Sequence, residues 1–338
     1  MMANIGGKVM NNFRDKFKVV RKDTLQWFPG HMSKGIKQMQ SALKRIDCII
    51  EVHDARIPIS GRHANFKKTI TGVKPHILVL NKLDLADLSY KNHIISQLNN
   101  EGIEHVIFTN FNSQVCKGMK TLLPLAKNLI MNSNRYNRTA EDSFSIMIVG
   151  VPNVGKSSLI NRLRNEHLQK GNATKVGAIA GITRSVLTRI KISEEPTIYV
   201  LDTPGILSPE VKDVDTGLKL ALVGCLQDHL VGTMTLADYL LFTLNKQRRF
   251  EYVNVLNLLE PTDSIKKLLT SLCLKKRLFQ RVKTVHNQMS TIPNYEFASQ
   301  NFIKLFRAGE FGKFCLDKDL LKVRQDNHDT SNKEIELI

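Results

Sequence analysis

No run of apolar residues in this chain approaches the roughly 18–20 needed to cross a bilayer. The best candidate, Leu236 to Leu244, is short and interrupted by Asp238. Cysteine is sparse too: Cys48, Cys116, Cys225, Cys273 and Cys315 lie far apart and form no CxxC pair. Such spacing seeds neither a zinc site nor a redox motif and implies reduced thiols. The N-terminus lacks the apolar core of a secretory signal. Its first 22 residues hold six basic side chains (Lys8, Arg14, Lys16, Lys18, Arg21, Lys22), one acid, Asp15, and no serine. Two readings of this arm, residues 1–26, stay open: a mitochondrial presequence, or a basic segment that lies on RNA. Acidic residues are in deficit throughout, 31 against 49 Lys and Arg, for a formal charge of +18. A polyanionic partner is implied, RNA or an anionic membrane face.

At 338 residues the chain has room for two domains. Apolar residues at helical spacing (Ile36, Met39, Leu43, Ile46) follow Ser33, which is placed to cap the first turn. Short, mostly β-branched runs come next: Cys48 to Val52, Ile77 to Leu80, His105 to Phe108, Ile146 to Val149, Val186 to Ile192 and Thr197 to Leu201. Most read as buried strands, and helical stretches such as Tyr90 to Asn99 and Lys117 to Met131 separate several of them. Alternation of this kind predicts an α/β fold with a doubly wound, mostly parallel sheet over residues 27–214. The polar segment Asn132 to Asp142 reads as a linker inside that domain. From residue 217 to about 330 the pattern is helical, with no further strand signal. Between Ser264 and Tyr295 there is no acid, while Lys266, Lys267, Lys275, Lys276, Arg277, Arg281 and Lys283 are basic. These seven are the candidate RNA contacts.

Several strands end in polar loops. Gly150 to Ser157 matches GxxxxGK[ST], follows the Ile146–Val149 run and precedes the helical run Leu159 to Leu163. In that context backbone N–H groups wrap phosphates, Lys156 neutralises β and γ oxygens, and Ser157 offers its hydroxyl to Mg²⁺. The phosphate-binding set is Asn153, Val154, Gly155, Lys156, Ser157 and Ser158. A P-loop does not choose its base, but Asn81-Lys82-Leu83-Asp84 does. Asp84 can accept from both the ring N–H and the exocyclic amine of guanine, and adenine lacks that amine. Paired hydrogen bonds of this kind discriminate by roughly 10⁴–10⁵. Asn81 is expected at the purine's other edge, Lys82 over the base, and Thr109-Asn110 beside it. Asp202-Thr203-Pro204-Gly205 supplies Asp202 to orient Mg²⁺ and the Gly205 N–H to sense the γ-phosphate, while Thr183 in Gly181-Ile182-Thr183-Arg184 reaches Mg²⁺ with GTP bound. A P-loop ATPase or kinase is disfavoured by NKLD.

Base recognition comes first, then the P-loop, the switch threonine and DxxG. An ordinary GTPase begins with the P-loop. Because each motif sits at a strand end, the same sheet can be cut at a different loop without moving any of them, and the helical module then follows DTPG directly.

These residues resemble the circularly permuted GTPases of the YlqF/RbgA type, above all their mitochondrial branch in eukaryotes. The resemblance covers nearly the whole chain after residue 26. It rests on Trp27-Phe28-Pro29-Gly30-His31-Met32, Asp54-Ala55-Arg56-Ile57-Pro58, NKLD, GVPNVGKSS, GITR, DTPG and the late block Phe302 to Asp317. It implies GTP-gated assembly or quality control of the large ribosomal subunit, a GTPase domain followed by a small helical RNA-contacting domain, and residence in the mitochondrial matrix or on the matrix face of the inner membrane. By analogy, His31 orients the attacking water and Asn153 holds K⁺ against the phosphates. Where many GTPases place a glutamine after DxxG this chain has Ile206 and Leu207, so unaided turnover is expected to be slow, on the order of 10⁻⁴ s⁻¹. The competing reading is an RNA-binding assembly factor in which GTP is a structural ligand.

Overall fold

The computed structural model describes residues 13–18, 43–62, 74–135, 142–168, 188–202, 211, 213–283 and 288–321. Of the helix expected after Ser33, residues 33–42 lie outside them, and its last turn is the 3-10 turn Leu43–Arg45, followed by the buried Ile46. Among the described residues six strands form one sheet: β1 (Cys48–Asp54), β2 (His76–Asn81), β3 (Val106–Phe108), β4 (Phe144–Val149), β5 (Thr188–Ser193) and β6 (Ile198–Asp202), in the order β3-β2-β1-β4-β6-β5. All neighbours pair in parallel except β5, an antiparallel edge strand. Every residue of β1 and β4 is buried, including the polar Glu51, His53, Asp54 and Ser145, as central strands of a parallel sheet covered on both faces require. Helices α1 (Lys91–Asn100), α2 (Lys117–Met131) and α3 (Lys156–Leu168) make the crossovers. On α2, Met119, Leu122, Leu123, Ala126 and Ile130 form the buried stripe. Parallel strands share a direction, so Asp54, Asn81, Phe108, Val149 and Asp202 all arrive at one edge of the sheet.

The helical module follows as α4 (Val214–Leu222), α5 (Thr233–Lys246), α6 (Glu251–Val255), α7 (Ile265–Lys276) and α8 (Tyr295–Ala308). Most of α5 is buried, and α4, α7 and α8 pack around it. Local sequence sets the boundaries: Asp213 caps α4 through Thr216 N at 2.7 Å, Asn294 caps α8 through Phe297 N at 2.9 Å, and Gly309 ends α8 at φ 87°. Among the described residues, no helix is long and apolar enough to cross a membrane.

One expectation fails here. Strands do occur after residue 217: β7 (Phe279–Lys283) and β8 (Met289–Pro293) form an antiparallel hairpin between α7 and α8. All of β7 is exposed, so the hairpin carries no buried apolar run to betray it. The N-terminal arm gives a second finding. Part of it packs on the module, with the Arg14 guanidinium on Asp238 (2.8 and 3.0 Å) and Asp263 (3.0 Å). Phe17 meets Tyr239 edge-on at 5.2 Å, and Phe13 lies 5.8 Å from Phe250.

Candidate nucleotide-binding site

The P-loop leaves β4 through Gly150 (φ 150°), where a Cβ would stand 2.2 Å from the Val52 carbonyl of β1. Only glycine permits that approach. At the far end of the loop Gly155 (φ 106°) faces the base loop, and a Cβ there would lie 2.6 Å from Asn81 Nδ2 and 3.0 Å from the Phe111 ring. Lys156 opens α3 and folds over its own loop, its Nζ donating to the carbonyls of Gly150 at 2.9 Å and Val151 at 2.8 Å. Val154 is buried; Asn153, Ser157 and Ser158 are partly exposed.

Asn81 joins the two halves of the site. Its Nδ2 donates to the Val154 carbonyl of the P-loop at 2.8 Å, and its Oδ1 accepts from Phe111 N at 3.2 Å and Thr109 Oγ1 at 3.4 Å. One N–H of this side chain is therefore committed to the P-loop rather than to a purine. Segments 73 residues apart are thus held within one hydrogen bond. Lys82 takes left-handed φ 62°, Leu83 N donates to the Thr109 carbonyl at 3.0 Å, and Asp84 stands exposed in the 3-10 turn Leu83–Leu85. The Asn110 amide oxygen accepts from Asn112 N at 3.0 Å, holding its loop in a turn.

Beneath the base loop lies a charged cluster. Asp54, fully buried at the end of β1, accepts from Arg56 Nε at 2.9 Å and Nη2 at 2.7 Å and pairs with Lys82 Nζ at 3.0 Å. Burial alone would push this carboxyl up, but the Arg56 guanidinium and Lys82 ammonium outweigh it and hold it below the usual carboxylate range. Cys225 sits nearby within the field of Lys82, Asp54, Arg56 and Lys156, and burial pushes its thiol up to about 12. It is not a nucleophile at neutral pH.

The helical module touches both ends of the site. Asn153, at φ 61°, donates from Nδ2 to the Gly224 carbonyl at 2.8 Å. Arg307 of α8 holds that turn by bonding the last carbonyls of α4, Leu222 at 3.0 Å and Ala221 at 2.7 Å, and pairing with Asp228 at 2.6 Å. At the base loop, Phe314 N donates to the Leu85 carbonyl at 3.0 Å and Asp87 N to the Phe314 carbonyl at 3.1 Å. The Asp317 carboxylate accepts from Ile59 N and Ser60 N, both at 2.8 Å.

Asp202 ends β6 level with Ile148, two residues before the P-loop begins. His31, Thr183 and Gly205 lie outside the described residues. Lys266, Lys267, Lys275, Lys276, Arg277, Arg281 and Lys283 are all exposed, on α7, its cap and β7, not at the sheet edge. Cross-strand pairing adds that Phe279, Arg281 and Lys283 share a hairpin face with Thr291 and Met289. Phe111, Asp54, Arg56 and Arg307 were not among the predicted site residues. For Asp54 and Arg56 a signal existed, the polar loop that closes a buried strand and the block Asp54 to Pro58; Arg307 lies in the late block Phe302 to Asp317, and Phe111 had no signal.

The donor set fits a nucleotide and its cation: glycines where a Cβ would close the loop, a lysine and a serine at the start of a helix, and an exposed carboxylate on the base loop. A family model described as "50S ribosome-binding GTPase" matches residues 145–276. The chain is 54% identical to "Mitochondrial GTPase 1" of Aedes aegypti, over 91% of this chain and 98% of the relative. It is 49% identical to "Mitochondrial ribosome-associated GTPase 1" of Bos taurus, over 92% and 94% of the two chains. Among solved structures, GNP-bound YlqF from T. maritima superposes with a TM-score of 0.52 at 22% identity, covering 82% of this chain and 95% of that one.

Proposed function

The chain belongs to the family of mitochondrial ribosome-associated GTPase 1 proteins, circularly permuted P-loop GTPases, and on that premise we propose that its GTP hydrolysis times assembly or quality control of the large subunit of the mitochondrial ribosome. The supporting observation is the bond from Asn81 to Val154, which sets a base loop against a P-loop although the chain writes them in reversed order. In this reading Asp84 selects guanine, with Asn81, Lys82, Leu83, Thr109 and Asn110 framing the purine. Phosphate oxygens replace the Gly150 and Val151 carbonyls as acceptors for Lys156 Nζ, while Asn153 to Ser158 line the phosphates. Ser157, Thr183 and Asp202 would hold Mg²⁺, which when bound would offset phosphate charge. The Gly205 N–H reports the γ-phosphate to α4, which follows it closely in sequence.

Contacts at Gly224 and Phe314 carry nucleotide state into the helical module, and the exposed cations of α7 and β7 present that module to rRNA. The protein acts in the mitochondrion, in the matrix or on the matrix face of the inner membrane. His31 orients the water in response to the subunit, and Asn153 supports K⁺. The chain should sediment with mitochondrial large subunits when loaded with a slowly hydrolysed GTP analogue and separate from them with GDP. Subunits should raise turnover of the parent and not of His31→Ala, and Na⁺ should not replace K⁺. Equal sedimentation in both nucleotide states would remove the timing role, equal stimulation of both proteins the assignment of His31, and equal turnover in the two salts the K⁺.

A further inference from the structure

Lys82 holds its position in the base loop at a conformational cost. A non-glycine residue at φ 62° is strained, and its long side chain loses rotamer freedom when held. An exposed loop lysine would point into water. Here the ammonium is drawn 3.0 Å from Asp54, whose side chain is fully buried, and Lys82 keeps 26% of its own side-chain surface. Asp54 is held in turn. Arg56 grips both of its oxygens, and the Arg56 backbone N–H donates to Oδ1 at 3.0 Å, so the carboxylate has one available orientation. Arg56 is 2% exposed, its guanidinium 5.6 Å from the Phe306 ring centroid and its carbonyl accepting from Leu316 N at 2.8 Å. Among the described residues its buried Nη1 has no hydrogen-bond partner, and the Phe306 ring of the module covers this side. A chain of contacts therefore runs from the late C-terminal block through Arg56 and Asp54 to the lysine of the base loop.

We propose that Asp54 is a positioning residue of the guanine site, aiming Lys82 at the base, and that Arg56 makes this aim depend on the docked C-terminal segment. The proposal rests on the reading of residues 81–84 as the guanine site. Base-end contacts are the same in GTP and GDP, so the device sets retention of both nucleotides and leaves the chemical step alone.

A buried ion pair replaced as a pair by apolar residues usually leaves stability nearly unchanged, whereas removing one partner does not. The test is therefore the double variant Asp54→Leu/Arg56→Met, in the full chain. Its melting temperature should stay within a few degrees of the parent. Release of a fluorescent GDP, and of an equally labelled slowly hydrolysed GTP analogue, should both accelerate by about tenfold or more, the equivalent of one charged hydrogen bond. KM for GTP should rise in step with kcat held. Adding Lys82→Met to the double variant should change release by less than about twofold, although it accelerates release in the parent. Parent-like release in the double variant, or full additivity with Lys82→Met, overturns the proposal. If the double variant does not fold, Arg56→Lys takes its place, keeping the charge but losing the two-point grip and the contact with Phe306. It should still release GDP several-fold faster, and parent-like release overturns the proposal. Asp84→Asn tests the guanine site separately from the positioning role of Asp54: retained guanine preference there removes the site itself, whatever the Asp54 variants do.

Discussion

At the scale of single residues, the acids of β1 set the behaviour of the domain in acid. Burial alone would raise the Glu51 carboxyl, but hydrogen bonds from His53 Nε2 (2.8 Å) and His76 Nε2 (2.9 Å) outweigh it and hold it well below its ordinary value of 4.5. Asp54 is likewise held below its ordinary 3.8. An acid whose native pKa is depressed contributes stability that is complete above its unfolded value and lost as pH falls through the native one. Urea unfolding free energy should therefore drop steeply once pH passes below 4.5, and the drop should be shallower in Glu51→Gln. A Glu51→Gln curve parallel to the parent's at every pH would contradict this. Much at this scale was legible in advance: Lys156 and Asp84 are written in motifs whose chemistry dictates their place. What could not be read is the second use of each polar group. Asn81 is predicted by its motif to meet a purine, yet nothing in the tetrapeptide announces its bond to Val154, which depends on strand order in three dimensions.

At the scale of elements, the buried strands announced themselves and the exposed ones did not. The run Ile146 to Val149 lies within β4, whose residues are all buried, and α2 spans the stretch expected of it. The hairpin of β7 and β8 escaped because a strand exposed on both faces shows neither an apolar run nor a clean alternation. The N-terminal arm escaped for another reason: Arg14 looks like one more cation until Asp238 and Asp263 are seen to face it. Its side chain is one-third exposed, so solvent screening reduces the pair, and Arg14→Ala should cost about 1–2 kcal/mol in urea unfolding. Relative to a chain beginning at residue 13, one beginning at residue 19 should lose at least as much as Arg14→Ala does in the parent. Equal stability of the two shortened chains would show that this segment contributes nothing to the module.

At the scale of the molecule, permutation changes what is connected without changing what is adjacent. The sheet order β3-β2-β1-β4-β6-β5 places the base loop after β2 and the P-loop after β4, two strands away, on one edge. The helical module closes on both, at Gly224 beside Asn153 and at Phe314 beside Leu85. A ligand that bridges the two loops thereby meets two points of attachment of the module that carries the basic face. This convergence was predictable from strand-end placement, whereas the grip of the late block on the base loop was visible only as a shared sequence pattern. The most direct test is competitive binding of guanine and xanthine nucleotides to the parent, to Asp84→Asn and to Lys156→Ala. Xanthine carries a carbonyl where guanine has its amine, so an amide at position 84 should prefer it. One nucleotide should bind per chain, Lys156→Ala should lose affinity for both bases, and Asp84→Asn should reverse the preference from guanine to xanthine. A guanine preference that survives Asp84→Asn unchanged would show that residues 81–84 do not read the base.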